Sequence, residues 1–247
     1  MHAAPAWLYP RFVAHRGGGD VAPENTLAAM RAGVAHGYKM VEFDVKLSHD
    51  QIPVLMHDAT LERTTNGHGE AGALDFGALA RLDAGSWHGA AFAGEPVPTL
   101  TAIARYAQAN GLACNVEIKP TPGLDALTGT LVARQARLDW LGAPLQPLLS
   151  SFSETALEAA RQEAPELPRG LIAVHLPEDW LALLTRLGCV SIHLLHRELT
   201  RDQVARIQAA GFRVAVWTVN EPARAQELLE WGVDAVITDM IALISPI

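Results

Sequence analysis

Met40-Val41-Glu42-Phe43-Asp44-Val45-Lys46-Leu47 reads as a β-strand, because β-branched and aromatic residues alternate in it with residues of other types. Side chains on a strand change face at each step. Val41, Phe43 and Val45 therefore share one face, and Glu42 and Asp44 share the other. Two carboxylates side by side on a mostly buried strand repel by roughly a few kcal/mol at intermediate dielectric, and desolvation adds to that. Either one keeps a proton or a cation sits between them. A second stretch repeats the arrangement. In Asn115-Val116-Glu117-Ile118-Lys119, Glu117 and Lys119 share a face while Val116 and Ile118 point the other way. Three carboxylates from two strands, all oxygen donors, suit a hard divalent ion such as Mg²⁺ or Ca²⁺. Salt bridges on an edge strand are the plainer reading of either pair alone. The two pairs together, on strands that both look buried, shift the balance toward a cation site.

Outward from this strand the chain alternates. Before it, Arg11 to His15 is a short apolar run that predicts a first strand. Arg16-Gly17-Gly18-Gly19-Asp20 follows as a loop, and Pro23-Glu24-Asn25-Thr26 predicts a helix start with Pro and an acid in the first turn. Leu27, Met30 and Val34 recur at helical spacing up to Gly37. After it, Ser48 to Gln51 predicts a tight turn, and Ile52 to Met56 a short extended run that ends at His57-Asp58. From 59 to 98 the rhythm breaks, with frequent Gly, an Asn66-Gly67 turn, and Trp87, His88 and Phe92 interspersed. Its Leu, Phe and Trp content argues for a packed insertion over a flexible linker. From Thr99 the alternation resumes. Helices are predicted from Thr99, Leu124, Ser153, Glu178, Thr200 and Pro222, and strands at Ala113–Ile118, Pro147–Ser151, Arg169–Ala173, Val190–His193, Phe212–Trp217 and Ala235–Thr238. About eight β/α units result, which is the (β/α)₈ TIM barrel with a small insertion after the second strand. The whole chain, 1–247, is then one barrel domain with the 59–98 insertion inside it. An open doubly wound sheet fits the same alternation.

A chain of 247 residues with 49% hydrophobic and 19% charged residues supplies one large core, and one such barrel needs about 250 residues. A formal net charge of −8 argues against nucleic-acid and anionic-membrane partners. Any positive surroundings for an anionic substrate must then be local. No apolar run is long enough to span a membrane, so no membrane insertion is expected. Met1 to Phe12 lacks a charged segment followed by an apolar one, so no signal peptide is expected. Cys114 and Cys189 lack metal or redox spacing and read as buried reduced thiols of a cytoplasmic protein. The oligomeric state is not written in the sequence.

Gly17-Gly18-Gly19-Asp20-Val21-Ala22 fits the dinucleotide pattern after a strand, with Glu42 about twenty residues on. That motif needs its helix to begin within the glycines. Here Pro23 postpones the helix, and dinucleotide binding is disfavoured. The barrel reading carries a positional consequence instead, since functional side chains lie at the carboxyl ends of barrel strands. His15, Glu42, Asp44, Glu117, Lys119, Ser151, His193, Trp217 and Thr238 all fall at or near predicted strand ends.

His15-Arg16-Gly17, Pro23-Glu24-Asn25-Thr26, Glu42-Phe43-Asp44, His57-Asp58 and Glu117-Ile118-Lys119-Pro120, in this order and spacing, resemble the glycerophosphodiester phosphodiesterase family. The likeness spans nearly the whole chain. It includes Glu62 to Gly67 and Leu82 to Trp87 in the insertion, and Trp217 to Asn220 near the end. The resemblance implies a barrel with one divalent metal held by Glu42, Asp44 and Glu117. It implies His15 and His57 as the acid/base pair, Arg16 and Lys119 on the phosphate, and Trp217 against the glycerol end. One departure is visible: the turn before His57 usually reads Asp-Gly in relatives and here is Asp50-Gln51.

The chemistry agrees with these roles. A phosphodiester has a poor alkoxide leaving group. A metal, Arg16 and Lys119 would neutralise charge growing on its phosphoryl oxygens. Imidazoles with an unperturbed pKa near 6.5 suit proton transfer in both directions, each worth roughly 10²–10⁴-fold. The nucleophile is water or the substrate's own 2-hydroxyl. Plainer readings stand beside each residue: Trp217 as core, and a lone strand-end histidine as structural. Lys119 as a Schiff-base lysine is disfavoured by three neighbouring carboxylates, which would keep it charged. His36, His49, His68, His175 and His196 read as surface or loop residues, and His193 is open. The expected activity is hydrolysis of glycerophosphodiesters to glycerol 3-phosphate and an alcohol. The rivals are a phosphodiesterase of lysolipid head groups and a non-catalytic glycerol phosphate sensor.

Overall fold

The computed structural model describes residues 7–246, so part of the N-terminal stretch read above and the last residue of the 1–247 span lie outside the described residues. Nine strands are described: β1 (Phe12–Ala14), β2 (Met40–Leu47), β3 (Pro53–Leu55), β4 (Ala113–Ile118), β5 (Leu148–Ser151), β6 (Arg169–Ala173), β7 (Ser191–Leu195), β8 (Arg213–Trp217) and β9 (Ala235–Thr238). All but β3 run parallel, and the β1–β2 pairing closes them into a barrel. Closure decides between the two architectures that the alternation allowed, since an open sheet would leave β1 and β2 unpaired. It also removes the edge-strand reading of the acids, because β2 is flanked by β1 and β4.

Among the described residues, eight α-helices connect the strands: α1 (Leu27–Ala35), α2 (Phe76–Leu79), α3 (Leu100–Ala109), α4 (Asp125–Asp139), α5 (Glu154–Glu163), α6 (Trp180–Leu187), α7 (Arg201–Ala209) and α8 (Pro222–Glu230). Hydroxyl caps fix four of the starts. Thr26, Thr99, Ser153 and Thr200 each accept from the backbone N–H three residues on, satisfying a donor that the first helical turn leaves free. The cap at Thr26 corrects the sequence reading of the first helix. Pro23 and Glu24 precede the helix, and Glu24 is spent on arginines instead of on a helix dipole.

Alternation places the core. Val41, Phe43, Val45, Cys114, Val116 and Ile118 face outward and pack in a cluster with residues of α3 and α4. A second outer cluster joins α6, α7 and α8 to β7 and β8. Met40 shares the inner face of β2 with Glu42 and Asp44, and Ala113 that of β4 with Asn115 and Glu117. Met40 and Ala113 join Val13, Leu148, Ala215, Ala235 and Ile237 in an inner apolar plug. The amino half of the barrel is thus filled with hydrocarbon, and its carboxyl half with charge.

β3 is where the rhythm misleads. It turns back and pairs antiparallel with the end of β2, Val45 facing Leu55. The reversal is made at Gln51, whose φ of 63° is a left-handed value unusual for a side chain other than glycine. Val54 of β3 and Met56 just after it pack with Leu61, Ala71, Leu79, Ala84 and Val97 of the segment before α3 in a small separate cluster. Glu95 anchors this segment to the barrel by accepting from Ala28 N–H at 2.9 Å, in the first turn of α1. No described helix is long and apolar enough to cross a membrane.

Candidate active site

β2 and β4 set the centre. Asp44 and Glu117 are directly opposite in register, as are Glu42 and Asn115 two residues earlier. All four are buried. Ligand oxygens of Glu42, Asp44 and Glu117 lie within 4.8 Å of one another. Such convergence of three carboxylates is unfavourable unless cations answer it. Lys119 answers part of it, with Nζ at 3.0 Å from Glu117 Oε1 and 3.3 Å from Asp44 Oδ1. Asn25 grips Asp44 from above: its Nδ2 donates to Oδ2 at 2.8 Å and its Oδ1 accepts from Asp44 N–H at 3.0 Å. Arg16 donates its backbone N–H to Glu42 Oε2 at 3.1 Å and sets Nε 3.6 Å from Asp44 Oδ2. Arg16 and Asn25 both hold left-handed backbones, φ 51° and 60°, a strain that the surrounding contacts must sustain.

Electrostatics divides the three acids. Burial alone would raise Asp44, but Lys119, Arg16 and His57 outweigh it and hold the group down to about 2. Burial and the Asp44 charge push Glu117 up to about 7 despite Lys119. Burial, Asp44 and Glu117 together hold Glu42 well above the ordinary carboxylate range. Lys119 stays ionised because Asp44 and Glu117 outweigh its burial. The site therefore carries less positive charge than its carboxylates can take. Among the described residues, a buried oxygen of Glu42, Oε1, has no hydrogen-bond partner. An all-oxygen donor set with an unanswered oxygen fits a divalent cation of the Mg²⁺ or Ca²⁺ type.

The two histidines stand in matching settings. His15 donates Nδ1–H to Asp239 Oδ1 at 2.5 Å, and Asp239 is itself held by Asn220 Nδ2 at 2.9 Å. His57 donates Nδ1–H to Asp58 Oδ1 at 2.6 Å, and Asp58 accepts from Arg63 Nε at 2.6 Å. A carboxylate only accepts, so each ring carries its proton on Nδ1 and leaves Nε2 free for other work. His15 Nε2 lies 3.8 Å from Glu42 Oε2. Burial, helped by Arg16 and Lys119, holds His57 below its ordinary value against Asp44 and Asp58. Glu24 binds Arg16 at 2.7 Å and Arg63 through both of its oxygens, so one carboxylate joins the barrel loop to the inserted segment.

His15, Arg16, Glu42, Asp44, His57, Glu117, Lys119 and Trp217, all singled out in the sequence, line one cavity of about 220 Å³. Phe152 and Ile172 line it too, and Phe152 meets Trp217 edge to face at 5.5 Å between centroids. Trp217 donates Nε1–H to the carbonyl of His193 at 3.1 Å. The expected residues Ser151 and Thr238 are buried and make structural hydrogen bonds, to Ile118 O and Asn220 Oδ1. The sequence reading gave no role to Asn25, Asp58, Asn115, Phe152 or Asp239. The strand parity of Asn115 with Glu117 was the one available cue, since it places the amide on the same face as a proposed ligand. The glycine loop has a mechanical use. At Gly19, φ 56°, any Cβ would collide with the carbonyl of Asp239, which accepts from Asp20 N–H.

The model of the glycerophosphoryl diester phosphodiesterase family matches residues 15–243. A glycerophosphodiester phosphodiesterase of Caldanaerobacter subterraneus is 31% identical over 228 residues, covering 92% of this chain and 93% of that protein. A phosphodiesterase of Oleispira antarctica, solved with the product sn-glycerol-3-phosphate, superposes with a TM-score of 0.92 at 37% identity, over 96% of this chain and 95% of that one. A glycerophosphodiester phosphodiesterase structure from Agrobacterium tumefaciens gives a TM-score of 0.80 at 27% identity, over 96% of this chain and all of that one.

Proposed function

Because this chain belongs to the glycerophosphoryl diester phosphodiesterase family, we propose that it hydrolyses glycerophosphodiesters to glycerol 3-phosphate and an alcohol with one divalent cation and two histidines. The observation that carries the reading is the meeting of three buried carboxylates and two carboxylate-tethered imidazoles around one cavity. Glu42, Asp44 and Glu117 would hold Mg²⁺ or Ca²⁺, which supplies Lewis-acid stabilisation of charge growing on the phosphoryl oxygens. Arg16 and Lys119 orient the phosphate and share that charge. His15 and His57 move protons through their free Nε2 atoms, one toward the leaving oxygen and one away from the nucleophile. Asp239 and Asp58 fix the ring tautomers on which those transfers depend. Trp217, with Phe152 against it, walls the side of the cavity that would take the glycerol carbon skeleton. Two unpaired, buried cysteines support the cytoplasmic placement that belongs to this reading.

The test is turnover of glycerophosphocholine, with EDTA abolishing it and Mg²⁺ or Ca²⁺ restoring it. Turnover that survives in His15→Ala and His57→Ala alike would remove the histidines from the mechanism. Undiminished cation affinity in Glu117→Gln would remove that residue from the ligand set.

A further inference from the structure

The inserted segment sends one charged side chain toward the groups of the scheme above. Leu61, Thr64 and Thr65 are buried, and Thr65 donates to the carbonyl of Leu61 from its N–H at 3.0 Å and from its Oγ1 at 2.7 Å. The turn they form is held in place, and Arg63 projects from it with its side chain 45% exposed. Exposed ion pairs contribute little on their own, because water and side-chain freedom compete with them. Arg63 is not in an isolated pair. Its Nε donates to Asp58 Oδ2 at 2.6 Å and its Nη2 to Asp58 Oδ1 at 3.0 Å. Its Nη1 donates to Glu24 Oε2 at 2.7 Å, and its Nη2 also donates to Glu24 Oε1 at 2.8 Å. A guanidinium carries five N–H donors in one plane, and this one spends all but one of them on two carboxylates. Paired charge-assisted bonds of this kind set orientation as well as position.

Both carboxylates lead back to the site. Asp58 Oδ1 accepts the Nδ1–H of His57 at 2.6 Å, and Glu24 Oε1 accepts from Arg16 Nη1 at 2.7 Å. Among the described residues, His57 and Arg63 are the donors to Asp58. A loop carboxylate is free to turn about its own bonds. With both oxygens of Asp58 taken by Arg63, the carboxylate plane is set, and with it the direction from which Oδ1 meets the imidazole. Arg63 also does most to hold Asp58 below the ordinary carboxylate range, which keeps it an acceptor. Glu24, whose side chain is 11% exposed, braces the guanidinium from the barrel side and is itself held by Arg16. His15 is served differently, since its Asp239 is steadied by Asn220 from the barrel's own loop between β8 and α8. We propose that Arg63 is a positioning residue: by clamping Asp58 against Glu24 it fixes the Nδ1–H bond of His57 and so aims Nε2 into the cavity. The inserted segment thereby takes part in catalysis at a distance from the reacting atoms. This rests on the two-histidine reading above and deepens it.

The experiment is steady-state kinetics on glycerophosphocholine for wild type, Arg63→Met, Arg63→Lys, Asp58→Asn and the double variant Asp58→Asn with Arg63→Met, beside melting temperatures. Arg63→Met is expected to lower kcat roughly tenfold to a hundredfold, the scale for losing an outer group that orients a working histidine, with KM little changed. Arg63→Lys keeps the charge and the stem but loses the planar fork, and is expected to recover only a small part of that loss. Arg63→Met placed on Asp58→Asn is expected to lower kcat little further, because the two changes break one connection and do not add. An arginine with a merely structural role would lower the melting temperature, leave kcat of the folded enzyme unchanged and add its full effect in the double variant. If Arg63→Met fails to fold, Arg63→Lys, alone and on Asp58→Asn, decides the matter. Wild-type kcat in either Arg63 variant overturns the inference, and so does a full multiplicative loss in the double variant. If His57→Ala alone leaves turnover intact, the histidine reading fails and takes this inference with it. If His57→Ala removes turnover and the Arg63 variants do not lower it, this inference alone fails.

Discussion

Asp239 follows the last strand, where the sequence offers only a turn, yet its carboxylate accepts the Nδ1–H of His15. Its carboxylate keeps that proton on Nδ1, so Asp239→Asn should lower kcat on glycerophosphocholine by roughly a hundredfold, with KM little changed. A shift in KM with kcat intact would instead place Asp239 in substrate binding. His193 supports a different prediction. Burial pushes its folded value down to about 4, below the unfolded value of 6.5. The unfolded chain therefore binds a proton in this window that the folded chain refuses. Stability from the neutral ring is fully present above pH 6.5 and is lost as pH falls toward 4. Denaturant unfolding in EDTA should show His193→Phe losing about 2 kcal/mol less than wild type between pH 7 and 4.5. Side chains of this kind divide by what announces them. Glu42 and Asp44 were legible because two like charges on a strand demand an explanation. Asp239, Asp58 and Asn25 were not, because an acid or an amide in a loop is ordinary until a fold sets it against a histidine or another acid.

Elements were legible to the extent that they obey one period. β2 and β4 alternate cleanly, and α5 and α7 begin after hydroxyl caps, so their bounds shift by a residue at most between sequence and structure. β3 does not show its direction, since three extended residues carry no mark of parallel or antiparallel pairing. What specifies the reversal is the Ser48–Gln51 turn, with Ser48 Oγ accepting from Ile52 N–H at 2.9 Å and donating to Asp50. Gln51 holds a left-handed conformation there, φ 63°, which glycine adopts without steric cost. Gln51→Gly should raise stability by about 0.5–1 kcal/mol, the steric relief exceeding the added chain entropy. The midpoint of urea unfolding would register it, and a lowered midpoint would show that the Gln51 side chain contributes more than its backbone costs.

Over the whole molecule, strand count and helix spacing gave the barrel, while closure was beyond the sequence because it joins β1 to both β2 and β9 across the full chain length. The 59–98 segment reads in the sequence as a break in rhythm, but its attachment does not show there. Val54 of β3 and Met56 beside His57 belong to its cluster, Glu95 binds the first turn of α1, and Arg63 ties Glu24 to Asp58. With its contacts so shared, the insertion should not melt alone. Scanning calorimetry is expected to give one transition with equal calorimetric and van't Hoff enthalpies, and a separate low-temperature peak would mark it as an independent unit.

Lys119 sits against Asp44 and Glu117 as a tethered counter-ion. With that charge answered from within the chain, the architecture should complete itself without any added ion, so refolding from urea in chelator should restore native near-ultraviolet dichroism before Mg²⁺ or Ca²⁺ is supplied.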